Sequence, residues 1–278
     1  MFSESKTIIV PWDFTDISEY ALEHAVNHAR MIKGEIIILH IVKSEEEIKD
    51  VHETFEKIAH ENEEKSSIKT SAMVRAGSIF HTITQFAEET GAEMVIMGTH
   101  GIKGNQKYFG SRALKVIANT QVPFMVIQEP PVKDKIENVL FPVNFKKENK
   151  ESLTWIIHLT KIYKLKIIIY AAKYNDKKLK SRVHSNIVFA QNIFNKKSIP
   201  FELKWAPDIT NFPSHVIEYS QKTNPDAILI MITRNISLAD FLFGANEQHI
   251  IANRDKIPVI CLSPRPLKNV SGFMAGGG

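Results

Sequence analysis

A single cysteine, Cys261, occurs in 278 residues, so no internal disulfide can form. Its place inside the apolar run Val259 to Leu262 fits a small buried hydrophobe better than a reactive thiol, which needs an electropositive, accessible setting. No apolar run approaches the roughly 18 residues of a membrane span, and the start, Met1 to Lys6, lacks a basic segment followed by a long apolar stretch. The expectation is a cytoplasmic protein without membrane attachment. Metal and catalytic signatures are equally sparse. His24 and His28 are four apart on one predicted helix without a third ligand, and His100 has no nucleophile or second acid that sequence can place beside it, so no metal site and no catalytic residue is assigned.

Charge is unevenly distributed. Residues 1–132 carry 13 Lys+Arg against 19 Asp+Glu, whereas residues 133–278 carry 22 against 12. The lysines of the basic half, among them Lys146, Lys147, Lys177, Lys178 and Lys180, are scattered without interleaved aromatics, which reads as a solvated face; nucleic acid is not an expected partner. The length is about twice the commonest domain size of roughly 100–150 residues.

What the chain does hold is a domain-length repeat. Thr7 to Phe14 matches Asn138 to Phe145, each an apolar strand that ends in Pro, a variable residue, an Asx residue and Phe, with Asp13 replaced by Asn144. After the first strand, Asp16 stands as a helix cap with Glu19 three residues on, and Ala21, Leu22, Ala25, Val26, Ala29 and Ile32 recur at helical spacing before Gly34. Glu35 to Val42 reads as a strand apolar on both faces, with Lys166 to Ala172 as counterpart. Ser44 to Ser67 reads as an amphipathic helix. Strands are expected at Lys69 to Arg75, Met94 to Met97 and Phe124 to Gln128, and helices at Ser78 to Glu89 and Ser111 to Asn119. Such alternation predicts an α/β fold: two tandem doubly wound, Rossmann-like domains, each with a five-stranded parallel sheet and helices on both faces. Ligands then gather at the carboxyl ends of strands, where Asp13, Ile41 and Gly98 lie. The expected boundaries are 1–129 for the first domain, 130–135 for a proline-containing linker, 136–266 for the second domain and 267–278 for a flexible tail. Trp205 and Phe212-Pro213, before the last helix of the second half, read as core or domain contact.

The segment Met94 to Gly101, followed by Gly110-Ser111, reads as a strand, a glycine-rich loop and a helix start, an arrangement in which backbone N–H groups can approach an anion. Without a ligand, the same glycines would serve a tight strand-to-helix turn. In the second half, Ile232, Asn235 and Ala245 stand for Gly98, Gly101 and Ser111, so the copy keeps the spacing and places Cβ atoms where backbone would approach phosphate.

With these residues in view, each half resembles a universal stress protein domain. The resemblance rests on Pro11, Asp13 and Phe14, on Ala21-Leu22, on His40-Ile41-Val42, and on Met97-Gly98-Thr99-His100-Gly101 with Gly110-Ser111. It implies Pro11, Asp13 and Ile41 around adenine and ribose, Met97, Gly98, His100 and Gly101 in the phosphate loop, and Gly110, Ser111 and Arg112 at the helix start. The implied ligand is ATP or another adenine nucleotide, with Mg as an accompanying ion. Eight residues separate Gly101 from Gly110 where the family pattern has nine. The loop therefore closes a residue early, with Gly104 available for the turn and Lys103 and Lys107 read as solvated.

Three functional readings follow. The first is a stress-response protein whose N-terminal domain binds ATP while a degenerate C-terminal domain serves as an intramolecular pseudo-dimer partner, through antiparallel pairing of Phe124 to Ile127 with Val259 to Leu262. A protein partner and a further homo-dimer are compatible with it. The second is a nucleotide-independent scaffold; the third is a slow ATP hydrolase.

Overall fold

Strands covered on both sides must be apolar throughout, and the first element obeys this: Ile8, Ile9 and Val10 of β1 (Thr7–Pro11) are each 0% exposed. The computed structural model describes residues 6–99, 117, 120–208, 211–232, 250–251, 253 and 255–263. After β1 come α1 (Asp16–Ile32), β2 (Glu35–Val42), α2 (Ile48–Ser66) behind a short 3-10 turn, β3 (Thr70–Ala76), α3 (Ile79–Glu89), β4 (Met94–Gly98) and β5 (Phe124–Ile127). The second half runs β6 (Asn138–Val143), α4 (Glu148–Ile162), β7 (Lys166–Ala171), α5 (Lys177–Lys196), β8 (Phe201–Trp205), α6 (Phe212–Thr223), β9 (Ala227–Met231) and β10 (Val259–Leu262). Of the helix expected at Ser111 to Asn119 only Ile117, helical and buried, falls among the described residues, and the tail at 267–278 lies outside them.

Within each half all strands are parallel and follow one order, β3-β2-β1-β4-β5 and then β8-β7-β6-β9-β10 when read outside-in. The halves fuse into a single ten-stranded sheet because β5 and β10 pair antiparallel, with Val126 opposite Val259, Met125 opposite Ile260 and Phe124 opposite Cys261. One face buries α1, α2, α4 and α5 in a continuous core; the other buries α3 and α6. Cys261 is buried in the seam.

Strand register aligns the two halves residue by residue. Thr7 pairs with Glu35 as Asn138 pairs with Lys166, and Gly98 pairs with Ile127 as Met231 pairs with Leu262. Met231, not Ile232, therefore stands in the place of Gly98. Ile232 corresponds to Thr99, and both donate their backbone N–H to the residue ending the neighbouring strand, Leu262 at 2.8 Å and Ile127 at 2.9 Å. The expected alignment was one residue late, although the substitution of a glycine by a side chain survives the correction.

Between β5 and β6 the chain forms neither helix nor strand, as two adjacent prolines require. It is nevertheless stapled: Asp226 accepts Lys133 Nζ at 2.7 Å and the backbone N–H groups of Glu137 and Asn138 at 2.9 and 2.8 Å. Trp205, expected as core or domain contact, is 46% exposed and so is not core, and Phe212 opens α6 and stacks on Tyr170 with ring centroids 5.9 Å apart.

Candidate ligand-binding site

In each half the sheet reverses its winding between two strands, β1 and β4 in the first, where side chains at the carboxyl ends of those strands surround a crevice. In the first half this crevice has a cavity volume of about 140 Å³. Its walls come from the end of β1 (Pro11, Trp12, Asp13), the end of β2 (Leu39, His40, Ile41), the end of β4 (Met97, Gly98, Thr99), and the first turns of α1 and α3.

Five of the ten expected site residues, Pro11, Asp13, Ile41, Met97 and Gly98, thus line one cavity. The other five, His100, Gly101, Gly110, Ser111 and Arg112, lie outside the described residues. In the second half the same holds for Asn235 and Ala245.

Asp13 has a structural task as well. Its Oδ1 accepts the backbone N–H of Thr15 at 3.2 Å, the Thr15 hydroxyl at 2.6 Å and the Ser18 hydroxyl at 2.6 Å, while Ser18 Oγ accepts the Asp13 N–H at 3.0 Å. These bonds brace the turn that launches α1. The helix cap is accordingly Thr15, and Asp16, expected as the cap, falls in the first turn. The second half repeats the device with an amide: Asn144 Oδ1 accepts Lys146 N–H at 2.9 Å and Asn149 Nδ2 at 2.8 Å. The second half thus braces the same turn with an uncharged Asx oxygen. There the copy also differs in filling, since Asn186 from α5 donates to the carbonyls of Asn144 at 2.8 Å and Lys146 at 2.9 Å.

Phe14 takes a left-handed conformation (φ 62°) that non-glycine residues rarely adopt, and its half-exposed ring meets His40 and Phe55 edge-on at 5.2 and 5.3 Å. His40 Nδ1 lies 2.8 Å from the carbonyl of Trp12. Trp12 itself is buried in the cavity wall, and its indole Nε1 has no hydrogen-bond partner among the described residues. A buried N–H without an acceptor is costly.

Gly98 is required for a reason other than the expected one. A Cβ at this position would sit 2.1 Å from Ile17 Cγ2 and 2.8 Å from the Ile17 carbonyl oxygen, so the end of β4 packs directly on the first turn of α1. The sequence reading missed Thr15 and Ser18, which hold Asp13, and the wall supplied by α3 through Phe80 and Ile83. Ser18 was recoverable, because Asn149 stands five residues after Asn144 just as Ser18 stands five after Asp13. His24 and His28 are turned inward: His24 Nε2 is 3.1 Å from the Glu129 carbonyl, and His28 Nδ1 contacts the Tyr163 hydroxyl. Among the described residues no group of three His, Cys, Asp or Glu is placed to hold a metal, and no helix is long and apolar enough to cross a membrane.

Residues 4–128 match the family model described as the universal stress protein family. A universal stress protein of Methanocaldococcus jannaschii is 27% identical over 141 residues, covering 45% of this chain and 83% of that protein. Universal stress protein G of Escherichia coli O157:H7 is 29% identical over 143 residues, covering 44% of this chain and 99% of that protein. A crystal structure of a universal stress protein from Archaeoglobus fulgidus DSM 4304 superposes with a TM-score of 0.73 at 16% identity, over 94% of this chain and 97% of that one, so the likeness of fold extends through both halves.

Proposed function

Taking residues 4–128 as a universal stress protein domain followed by a second domain of the same fold, we propose that the first half binds ATP or a related adenine nucleotide and that the second is a degenerate domain serving as its built-in partner. The observation that carries this reading is the convergence of Pro11, Asp13, Ile41, Met97 and Gly98 on one crevice at the winding reversal of the sheet. Ile41, Ile83 and Met97 offer apolar walls for a base. Asp13, which lines the crevice, offers a carboxylate to ribose hydroxyls. The unpaired Trp12 indole N–H is a donor that a nucleotide acceptor can satisfy. Phosphates leave the crevice past Thr99 toward the glycine-rich segment that resembles the family's phosphate loop.

The second half lacks these properties. Asn144 replaces the carboxylate, Met231 replaces Gly98, and Asn186 closes over the turn. Its β10 instead completes the sheet beside β5. Binding rather than chemistry is then the output: a nucleotide stabilises the conformation it prefers by its differential affinity, and a partner can read that conformation.

The test is native mass spectrometry of the purified protein, identification of any retained nucleotide, and calorimetric titration with ATP and AMP. One nucleotide per chain, weakened by Asp13→Asn, supports the reading. The substitution leaves the turn intact, since Asn144 already does that work in the second half. Absence of retained nucleotide together with no uptake at millimolar concentration would sink it. Two per chain would refute the degeneracy of the second half.

A further inference from the structure

The crevice of the first half does not end at Gly98. Thr15, Ile17 and Thr99 line both it and a second hollow that opens toward the other half of the molecule, so the two spaces adjoin along the first turn of α1. The far wall of that second hollow is Lys256, a residue of the C-terminal half, whose ammonium contacts the Glu129 carboxylate. We propose that Lys256 reaches into the nucleotide pocket of the first half and supplies the counter-charge for the phosphate group of its ligand, exchanging Glu129 for phosphate. The inference rests on the nucleotide-binding reading above.

Charge among the described lining residues favours such a residue. Asp13 faces the first of these adjoining spaces and Asp16 and Glu129 the second, and among their described lining residues Lys256 is the one with a full positive charge. A phosphate carrying one to two negative charges would meet three carboxylates without it.

The placement of Lys256 is built rather than incidental. From buried Ile117 to the first residue of β5, Phe124, the chain advances seven residues in the first half; from buried Ile251 to the first residue of β10, Val259, it advances eight. Lys256 lies in this lengthened connection and takes the left-handed conformation (φ 58°) that absorbs the extra residue. Buried Asn253 braces the turn, donating to the carbonyls of Ile250 at 3.0 Å and Ile257 at 2.9 Å and accepting the Ile257 N–H at 2.9 Å. The first half grips it too: Gln128 Nε2 donates to the carbonyls of Ile251 and Asn253, each at 3.2 Å. A lysine on a turn held from both sides gives up little freedom when it changes partners.

The experiment compares adenosine, AMP and ATP by calorimetry on the full chain, as wild type, Lys256→Gln and Glu129→Gln. Lys256→Gln is expected to weaken AMP and ATP by about tenfold, the loss of one charge-assisted contact, and to leave adenosine within about twofold. Glu129→Gln is expected to tighten the phosphate-bearing ligands. Should Lys256→Gln bind ATP as wild type does, the inference falls while the nucleotide reading stands. An equal loss for adenosine and ATP would show that Lys256 acts only through the fold, which also overturns it. If wild type binds none of the three, both fall together.

Discussion

Glu93 Oε1 and His158 Nε2 lie 2.5 Å apart across the boundary between the two halves, Glu93 just ahead of β4 and His158 on α4, with side chains 8% and 15% exposed. Beside them His28 of α1 contacts the hydroxyl of Tyr163, at the end of α4, and Trp155 meets the His158 ring edge-on at 5.8 Å. This buried polar cluster ties the two halves together beside the β5–β10 seam, with His28 Nε2 left without a hydrogen-bond partner among the described residues.

Removing one partner leaves the other buried and alone. His158→Ala is expected to destabilise the protein by about 3–5 kcal/mol, whereas the double replacement Glu93→Gln with His158→Gln costs less because no charge is stranded. Urea unfolding followed by tryptophan fluorescence measures both. A His158→Ala loss below that of the double variant would mean the pair contributes nothing beyond packing.

Burial pushes His24 down to about 4, and pushes His28 to about 4 as well, the Glu93 carboxylate opposing and His158 reinforcing the shift. In the unfolded chain both return to about 6.5 and take up protons first. Below that pH the unfolded state binds more protons than the folded one. Stability is therefore complete above pH ~6.5 and declines as pH falls toward 4, by on the order of 2–3 kcal/mol for each histidine. Melting temperatures across pH 7.5 to 4.5 for wild type and His28→Gln test this: the variant should show a shallower decline, and parallel curves would remove His28 from the account.

The close approach of Gly98 to Ile17 predicts that Gly98→Ala lowers stability by about 1–3 kcal/mol even with no ligand present. Adding Ile17→Ala should recover part of the loss, since it clears the Cγ2 contact at 2.1 Å but not the backbone oxygen at 2.8 Å. Full recovery would mean the backbone contact relaxes freely. Ligand loss in any Gly98 variant consequently says little about phosphate contact, and Asp13→Asn is the cleaner probe of binding.

Periodicity and repeat made the architecture legible, because strands buried on both faces announce themselves: β2 begins and ends at the expected Glu35 and Val42. The crevice was half legible, as Pro11, Asp13, Ile41, Met97 and Gly98 sit where strand ends must converge. Residues that act through three-dimensional partners were not. His24 and His28 read only as two histidines four apart on one helix, since nothing in their spacing reveals that Tyr163 at the end of α4 and the post-β5 segment meet them. Lys256 could not be found from motifs, because its meaning comes from an added residue in a connection and from Glu129 in the other half. The one-residue error at Ile232 arose from aligning apolar runs, whose uniform Ile and Leu content fixes no register; the ladder pairing of Met231 with Leu262 does.

Seam strands are internal in this chain, and the sheet ends instead at β3 and β8. Cutting the chain in the linker would turn β5 into an edge whose N–H and C=O groups, from Phe124 to Ile127, seek a new neighbour. It would also uncover His28 and Glu93, which now face Tyr163 and His158. Residues 1–132 expressed alone are thus expected to self-associate through β5 against β5 of a second copy, and the intact chain to remain free of that association. Supplying residues 133–278 in trans should replace the homo-dimer by a one-to-one complex, because only the second half offers both the complementary strand and the buried polar partners. Analytical ultracentrifugation of the piece, the mixture and the intact chain decides it. A monomeric 1–132 piece at tens of micromolar would show that the seam contributes too little to drive pairing by itself, and the buried Glu93–His158 cluster would then be left as the main tie between the halves.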